Sequence, residues 1–242
     1  GCSGPVATTL RVQPTYNGAP VSCGDVLALS TGQSFRLKDL RLFVHDVTVD
    51  GANVPFVVSD VAQPNVALLA PLAKPCPSTT SSPQLRLPAS VLGKKSRLRL
   101  KVGVPFDDNH ANPAVAKPPL KGTAMHWSWQ GGYKFLRLEG HVLDDNADLT
   151  TQKTPARMHL GSTACQGPMS AVTHCDQPNR PHVEATVVVE KGKDVVLHMP
   201  LDALVVPTPG DAKPGCMGGV DDVGCPSLLQ AVRLSVATGQ PS

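Results

Sequence analysis

Proline and glycine punctuate this chain too densely for a long helix. There are 24 Pro and 21 Gly among 242 residues, and no stretch keeps apolar residues at helical spacing over several turns. Inside a helix, proline removes a backbone donor and clashes with the preceding turn, while glycine loses the most conformational freedom. Between these breaks lie short runs whose apolar residues alternate with polar ones, the period of strands that bury one face. The expected fold is all-β: an antiparallel β-sandwich with long, disulfide-stapled loops.

The runs can be placed. Residues 6–12 form a first strand, followed by a turn at Asn17-Gly18, and residues 23–33 read as a loop. Residues 40–49 are apolar on both faces in the middle, which predicts a central strand. One face carries Arg41, Phe43, His45, Val47 and Val49, the other Leu42, Val44, Asp46 and Thr48. Asp50-Gly51 is a hairpin signal that returns the chain through residues 54–58. In residues 96–104, Leu98, Leu100, Val102 and Val104 face inward and Arg97, Arg99 and Lys101 outward. Residues 139–157 are a polar excursion, read as an exposed hairpin loop. Residues 183–189 and 194–199 alternate cleanly around Lys191-Gly192-Lys193 and predict a hairpin; residues 231–236 predict a last short strand. No internal repeat or linker divides the chain. Residues 6–242 are therefore expected to form a single β domain behind a short N-terminal segment, residues 1–5.

Seven cysteines leave one unmatched in any set of pairs. Cys2 follows Gly1 at the start, and Gly-Cys there is like the processed end of a bacterial lipoprotein, where the cysteine is lipidated; a spare thiol is the alternative. The other six form an even set. Cys165 and Cys175 are close in sequence, as are Cys216 and Cys225, leaving Cys23 and Cys76 for each other. Proximity alone suggests this pairing, one of fifteen possible connectivities. None of the spacings is a C-x-x-C knuckle, so disulfide-closed loops suit them better than zinc, and disulfides place the chain outside the cytoplasm.

Charge excludes other classes. Charged residues make up 17% of the chain and the net charge is +3, with no basic stripe carrying interleaved aromatics, which argues against nucleic acid. No apolar run approaches the roughly 20 residues a membrane helix needs.

Chemistry concentrates in two segments. Residues 125–137, MHWSWQGGYKFLR, hold four of the nine Phe, Trp and Tyr residues. In an extended chain Trp127 and Trp129 share one face, and Gly131-Gly132 marks a bulge or kink. Two tryptophans on one strand face are commonly core, and a site is the competing reading. Residues 103–120 bracket Asp107, Asp108, Asn109 and His110 between Pro105 and Pro113, either a stiffened ligand loop or a capped surface turn. His45 lies on an apolar face, as a buried structural histidine or a metal ligand. His159 sits between Met158 and Leu160, and His174, His182 and His198 read as surface or structural residues. There is no G-x-S-x-G elbow, H-E-x-x-H, P-loop or G-x-G-x-x-G. The paired aspartates at 107/108, 144/145 and 221/222 all fall in turn-rich loops. Histidine remains as the ligand, with His45, His110, His126 and His159 in defined contexts. With the cysteines in disulfides, imidazole points to copper or zinc.

In order along the chain, these segments resemble the MbnP-like family, the metallo-mystery-pair four-Cys motif proteins. The resemblance rests on FVHDV at 43–47 with Asp50-Gly51, VALL at 66–69, GVPF at 103–106 with Asn109-His110, and MHWSWQGGYKF at 125–135. It continues through HLGST at 159–163 with Cys165, Cys175 with Asn179, and Gly215-Cys216-Met217 before Cys225. It implies an exported bacterial protein, periplasmic or anchored at the outer membrane through Cys2, encoded beside a di-haem partner of the MauG/cytochrome c peroxidase type. The partner would oxidise a tryptophan, Trp127 or Trp129, to kynurenine. The product would bind copper with histidines, His110 and His126 foremost and His45 and His159 behind them. The expected role is copper handling without catalysis. The competing readings are a copper- or zinc-dependent enzyme using the same histidines, and a module that stacks carbohydrate or another partner on exposed Trp127 and Trp129.

Overall fold

The computed structural model describes residues 4–57, 65–73, 83–122, 124–127, 132–143, 153–168, 171–205, 215–218 and 222–242. The chain is all-β and sandwich-like. The larger sheet runs in the order His182–Val188, Lys95–Val102, Ser34–Val49, Leu136–Leu143, Lys153–Leu160, Gly215–Cys216. The strands Val26–Ala28, Ala52–Asn53 and Val66–Leu72 also pair with Ser34–Val49. The smaller sheet runs Val195–Pro200, Val6–Tyr16, Gln84–Leu87, Phe56–Val57, with Ala19–Pro20 paired to Val6–Tyr16. Pairing is antiparallel except between Val6–Tyr16 and Val195–Pro200 and between Lys153–Leu160 and Gly215–Cys216. No helix among the described residues is long and apolar enough to cross a membrane.

Ser34–Val49 is the axis, as its two apolar faces predict. Leu42 and Val44 line a space shared with Leu100 and Val102 of the same sheet and with Val12, Leu197 and Met199 of the smaller sheet. This is the interior of the sandwich. Phe43 points the other way, edge-on to Tyr133 at 5.8 Å between ring centroids. The opposite face of the strand is therefore covered by the loops that hold most of the candidate site residues. Lys95–Val102 alternates exposed and buried residues as expected. Both turn signals hold. Asn17 and Gly18, and Asp50 and Gly51, all have positive φ (49°, 75°, 50° and 84°), the conformation of a two-residue turn whose twist matches its strands.

Four expectations are corrected. The strands predicted around Lys191-Gly192-Lys193 are not a hairpin. His182–Val188 pairs with Lys95–Val102 at the edge of the larger sheet, and Val195–Pro200 pairs in parallel with Val6–Tyr16 at the edge of the smaller one. Their alternation is real, but alternation does not specify a partner, and the turn carries the chain across the sandwich edge. No strand forms over residues 231–236: a helix, Cys225–Ala231, with Pro226 in its first turn and Leu228 and Leu229 buried, ends there and turns follow it. Leu234 makes only an isolated bridge to Pro241. The loop expected over residues 23–33 contains the strand Val26–Ala28, and both ends of the excursion over residues 139–157 belong to the paired strands Leu136–Leu143 and Lys153–Leu160, residues 144–152 lying outside the described residues. His174 and His182 are exposed as expected, but they lie in strands.

Candidate functional site

The site is built around the end of the Lys95–Val102 strand. Pro105 stops the strand and begins one helical turn, Phe106–Asn109, with Asp107 and Asp108 at its positive end. The stiff polar loop expected there is thus a helical turn that points Asn109 inward, where it is 1% exposed. Asn109 Oδ1 accepts a 2.8 Å hydrogen bond from the Tyr133 backbone N–H. That fixes its amide orientation, so Nδ2 faces His110 Nε2 at 3.1 Å. His110 stacks in a tilted arrangement on Phe106, 4.9 Å between centroids.

Facing this turn, His126–Trp127 pairs with Gly132–Tyr133 in a short antiparallel ladder. Gly132 is glycine for want of space, since a Cβ there would lie 2.9 Å from Asn109 Nδ2. Tyr133 is buried, donates its hydroxyl to the Leu120 carbonyl at 2.9 Å, and takes the His126 ring edge-on at 5.0 Å. His110 and His126 therefore both meet the joint between Asn109 and Tyr133. Burial, and then the neighbouring Lys134 ammonium, push the His126 imidazole below its ordinary pKa. At neutral pH it presents a lone pair, the form a metal ion binds.

Trp127 is 3% exposed. Its ring lies between two glycines: a Cβ on Gly161 would collide with Cζ3, and one on Gly218 would lie 2.7 Å from Cη2. That burial removes the exposed two-ring stacking platform. Trp129 lies outside the described residues, as do Cys2 and Cys76.

The other two histidines stand in different surroundings. His159 is buried, and its Nε2 hydrogen-bonds to Glu139 Oε1 at 2.7 Å. Glu139 is also held by Arg137 at 2.7 Å, and Arg137 Nε approaches Asp39 at 3.4 Å. Burial would raise the Glu139 carboxyl, but the hydrogen bonds from His159 and Arg137 override it and hold it well below the usual carboxylate range. Burial lowers His159 despite the opposing pull of Glu139. His45 is 3% exposed and lines a separate cavity. There, too, burial outweighs the carboxylate beside it, Asp46, and lowers the imidazole.

These shifts set a sign. His45 and His159 resist protonation when folded, while the unfolded chain protonates them near 6.5. Their stabilisation is complete above that value and is lost as pH falls toward their folded pKa values; Glu139 adds a loss below about 4.5. The melting temperature should be level above pH 7, fall from about 6.5 downward, and fall again below about 4.5. His159→Gln should flatten the first descent. A melting temperature unchanged between neutral pH and pH 5 would contradict the assignment.

Two of the expected disulfides are described, Cys165–Cys175 and Cys216–Cys225. Cys23 is disulfide-bonded as well, and its expected partner, Cys76, is not among the described residues. His110 Nε2 lies 3.4 Å from Cys175 Sγ. Among the described residues, His110, Cys165 and Cys175 bring three ligand atoms within 4.8 Å of one another, but the two sulfurs are bonded to each other and offer no thiolate. The four candidate histidines do not form one cluster there. His110 and His126 share a joint, His159 is committed to Glu139, and His45 faces its own cavity. Sequence reasoning placed Asn109 in the polar loop but not as the tie between the two histidines; nothing there set it apart from Asn112, the other asparagine between Pro105 and Pro113. It passed over Arg137 and Glu139 altogether.

No curated protein sequence matches the chain. Among solved structures, MbnP from Methylosinus trichosporium has the same fold, with a TM-score of 0.72 and 23% identity over 99% of this chain and 95% of that one. A sequence model of the MbnP family matches residues 4–218, and on that match the chain belongs to the MbnP family.

Proposed function

We propose that this chain is an extracytoplasmic copper-binding protein whose site is completed by oxidation of a tryptophan to kynurenine. The observation that carries the reading is the meeting of His110 and His126 at the Asn109–Tyr133 joint, with His126 next to Trp127 in sequence. Family membership supports it. The donor set suits copper: His126 offers a neutral imidazole, and the disulfides leave no competing thiolate at His110. Copper is cargo in this reading, and the protein has no catalytic role.

An intact indole is a poor donor because its nitrogen lone pair belongs to the ring. Oxidation cleaves the indole C2–C3 bond and adds an oxygen to each carbon. Two molecules of peroxide, used by a di-haem partner of the MauG/cytochrome c peroxidase type, would each supply one oxygen and leave the other as water. Hydrolysis then releases C2 as formate and leaves an aryl amine and a ketone. Trp129 is the residue taken to be modified, because Trp127 is 3% exposed and its ring packs against Gly161 and Gly218. His45 and His159 are not taken as ligands of this copper. Disulfides support an oxidising compartment, the periplasm, with Cys2 as the lipidation site for an outer-membrane anchor.

The test is co-expression with the di-haem protein, followed by intact-mass measurement and copper titration. The expected result is the mass increase of kynurenine, copper binding by the modified protein alone, and loss of both in Trp129→Phe. Trp127→Phe should keep the modification and lose stability. An unchanged mass in the co-expressed parent protein would sink the kynurenine reading. Loss of modification in Trp127→Phe with retention in Trp129→Phe would overturn the residue assignment.

A further inference from the structure

We propose that the cavity in front of His45 is a binding site for a small organic carboxylate, separate from the copper site. The cavity has a volume of about 370 Å³, and its walls include His45, Lys101, Phe106, Pro178 and Arg180. That is far more than the roughly 30 Å³ a water occupies in the liquid.

Two buried groups there lack partners that proteins ordinarily provide. Among the described residues His45 Nε2 has no hydrogen-bond partner, while Nδ1 has only Asp46 Oδ1 beside it, at 3.3 Å. Buried imidazole nitrogens are normally satisfied, so these mark a missing ligand or solvent. Arg180 donates Nε to the Val104 carbonyl at 2.7 Å and lays its guanidinium over Phe135 at 4.9 Å. Its Nη2 is buried without an acceptor, and no carboxylate pairs with it among the described residues. Arg180 is half-buried, and withdrawing part of a guanidinium from water without a counter-ion is unfavourable; burial lowers its pKa to about 10.

The charges choose the ligand. Asp46 is the one acid on the wall, and Lys101 neutralises it at 2.8 Å. Arg180 then leaves one uncompensated positive charge, with the His45 ring as a further hydrogen-bonding group. A cation is repelled by the ammonium and the guanidinium, which sets this cavity apart from a metal site. A monoanion that accepts hydrogen bonds in a plane fits, and carboxylate is the group that pairs with guanidinium in this way. Pro105, Phe106 and Pro178 provide an apolar wall for a short carbon chain. The rim is anchored, because the Asn179 backbone N–H donates to the Gly239 carbonyl at 3.1 Å and Leu234 bridges to Pro241.

The experiment titrates the full chain, free of copper, with sodium propionate and butyrate. It follows the melting temperature and the NMR resonances of the His45 ring and the Arg180 Nε–H. Propanol, sodium chloride and sodium phosphate at matched ionic strength are the controls. The expected result is a saturable shift with the carboxylates alone, and affinity weakened about tenfold or more in Arg180→Gln. His45→Gln serves as a second variant should Arg180→Gln fail to fold, and it should also weaken binding. The proposal is overturned by an absent or non-saturating response, by an equal response to chloride or phosphate, or by unchanged affinity in a folded variant. Since no copper or kynurenine is involved, failure here leaves the copper reading standing, and the reverse also holds.

Discussion

Replacing Gly161 with alanine should destabilise the protein by about 3 kcal/mol or more, a fall of roughly 6–12 °C in melting temperature. The new methyl group would meet two obstacles at once, the Trp127 ring at Cζ3 and the Tyr133 carbonyl oxygen at 2.8 Å. Backbone cannot swing aside as the tip of a flexible side chain can. The ring has little room to retreat either, because Gly218 lies against its Cη2 edge. Relief therefore requires the indole to leave its slot. A tryptophan buries some 150–250 Å², and at about 25 cal/mol per Å² full expulsion approaches 4–6 kcal/mol as an upper bound. Urea denaturation of the variant, with its fluorescence emission moving to longer wavelength, is the check. Combining Gly161→Ala with Trp127→Phe should recover part of the loss, because the smaller ring leaves room for the methyl group. Strictly additive losses would show that the ring is not the obstacle.

This slot also explains the segment around it. His126 and Trp127 are adjacent in a strand and so point to opposite sides, which lets one residue anchor while its neighbour faces the Asn109–Tyr133 joint. The same two-residue ladder is both core and candidate site. The two readings of the sequence were alternatives for one segment, and the structure divides them between its faces.

How far the sequence discloses this follows from the range of each interaction. Alternation in residues 96–104, the turns at Asn17-Gly18 and Asp50-Gly51, and the close cysteine pairs are local, and all are recovered. The predicted hairpin at Lys191-Gly192-Lys193 fails because partner choice is decided by distant strands: Leu98 opposite Ala185, and Val12 beside Leu197. Cys225–Ala231 is too short to show helical periodicity, and the strand expected over residues 231–236 overlaps it only at Ala231. Among the candidate residues, His110 and His126 were visible as types in motifs. Their common joint depends on the inward turn of Asn109, and nothing in the segment between Pro105 and Pro113 distinguishes that asparagine from Asn112. The cavity at His45 is closed by Gly239–Pro241, nearly two hundred positions away in the chain, beyond the reach of any local pattern.

Asn109→Ala should cost about 2–3 kcal/mol and disturb the candidate copper site, since the amide serves fold and site together. Removing Oδ1 strands the Tyr133 backbone N–H in a buried position, and an unmet buried donor costs about 1–3 kcal/mol beyond the bond itself. The melting temperature should fall by roughly 4–12 °C, and hydrogen exchange at the Tyr133 amide should accelerate. Asn109→Asp separates the two roles. It keeps an acceptor for Tyr133 and replaces the amide donor facing His110 Nε2 with a carboxylate, so Tyr133 should remain protected while the His110 tautomer changes. If His110 is a copper ligand, both variants should weaken copper binding by the kynurenine-bearing protein about tenfold to a hundredfold, the usual consequence of losing a group that orients a ligating histidine. Unaltered Tyr133 protection in Asn109→Ala would show that Asn109 does not hold the joint. Preserved protection with normal copper affinity in Asn109→Asp would mean that the amide supports the fold alone, and that His110 is oriented by Phe106 and the neighbouring disulfide instead.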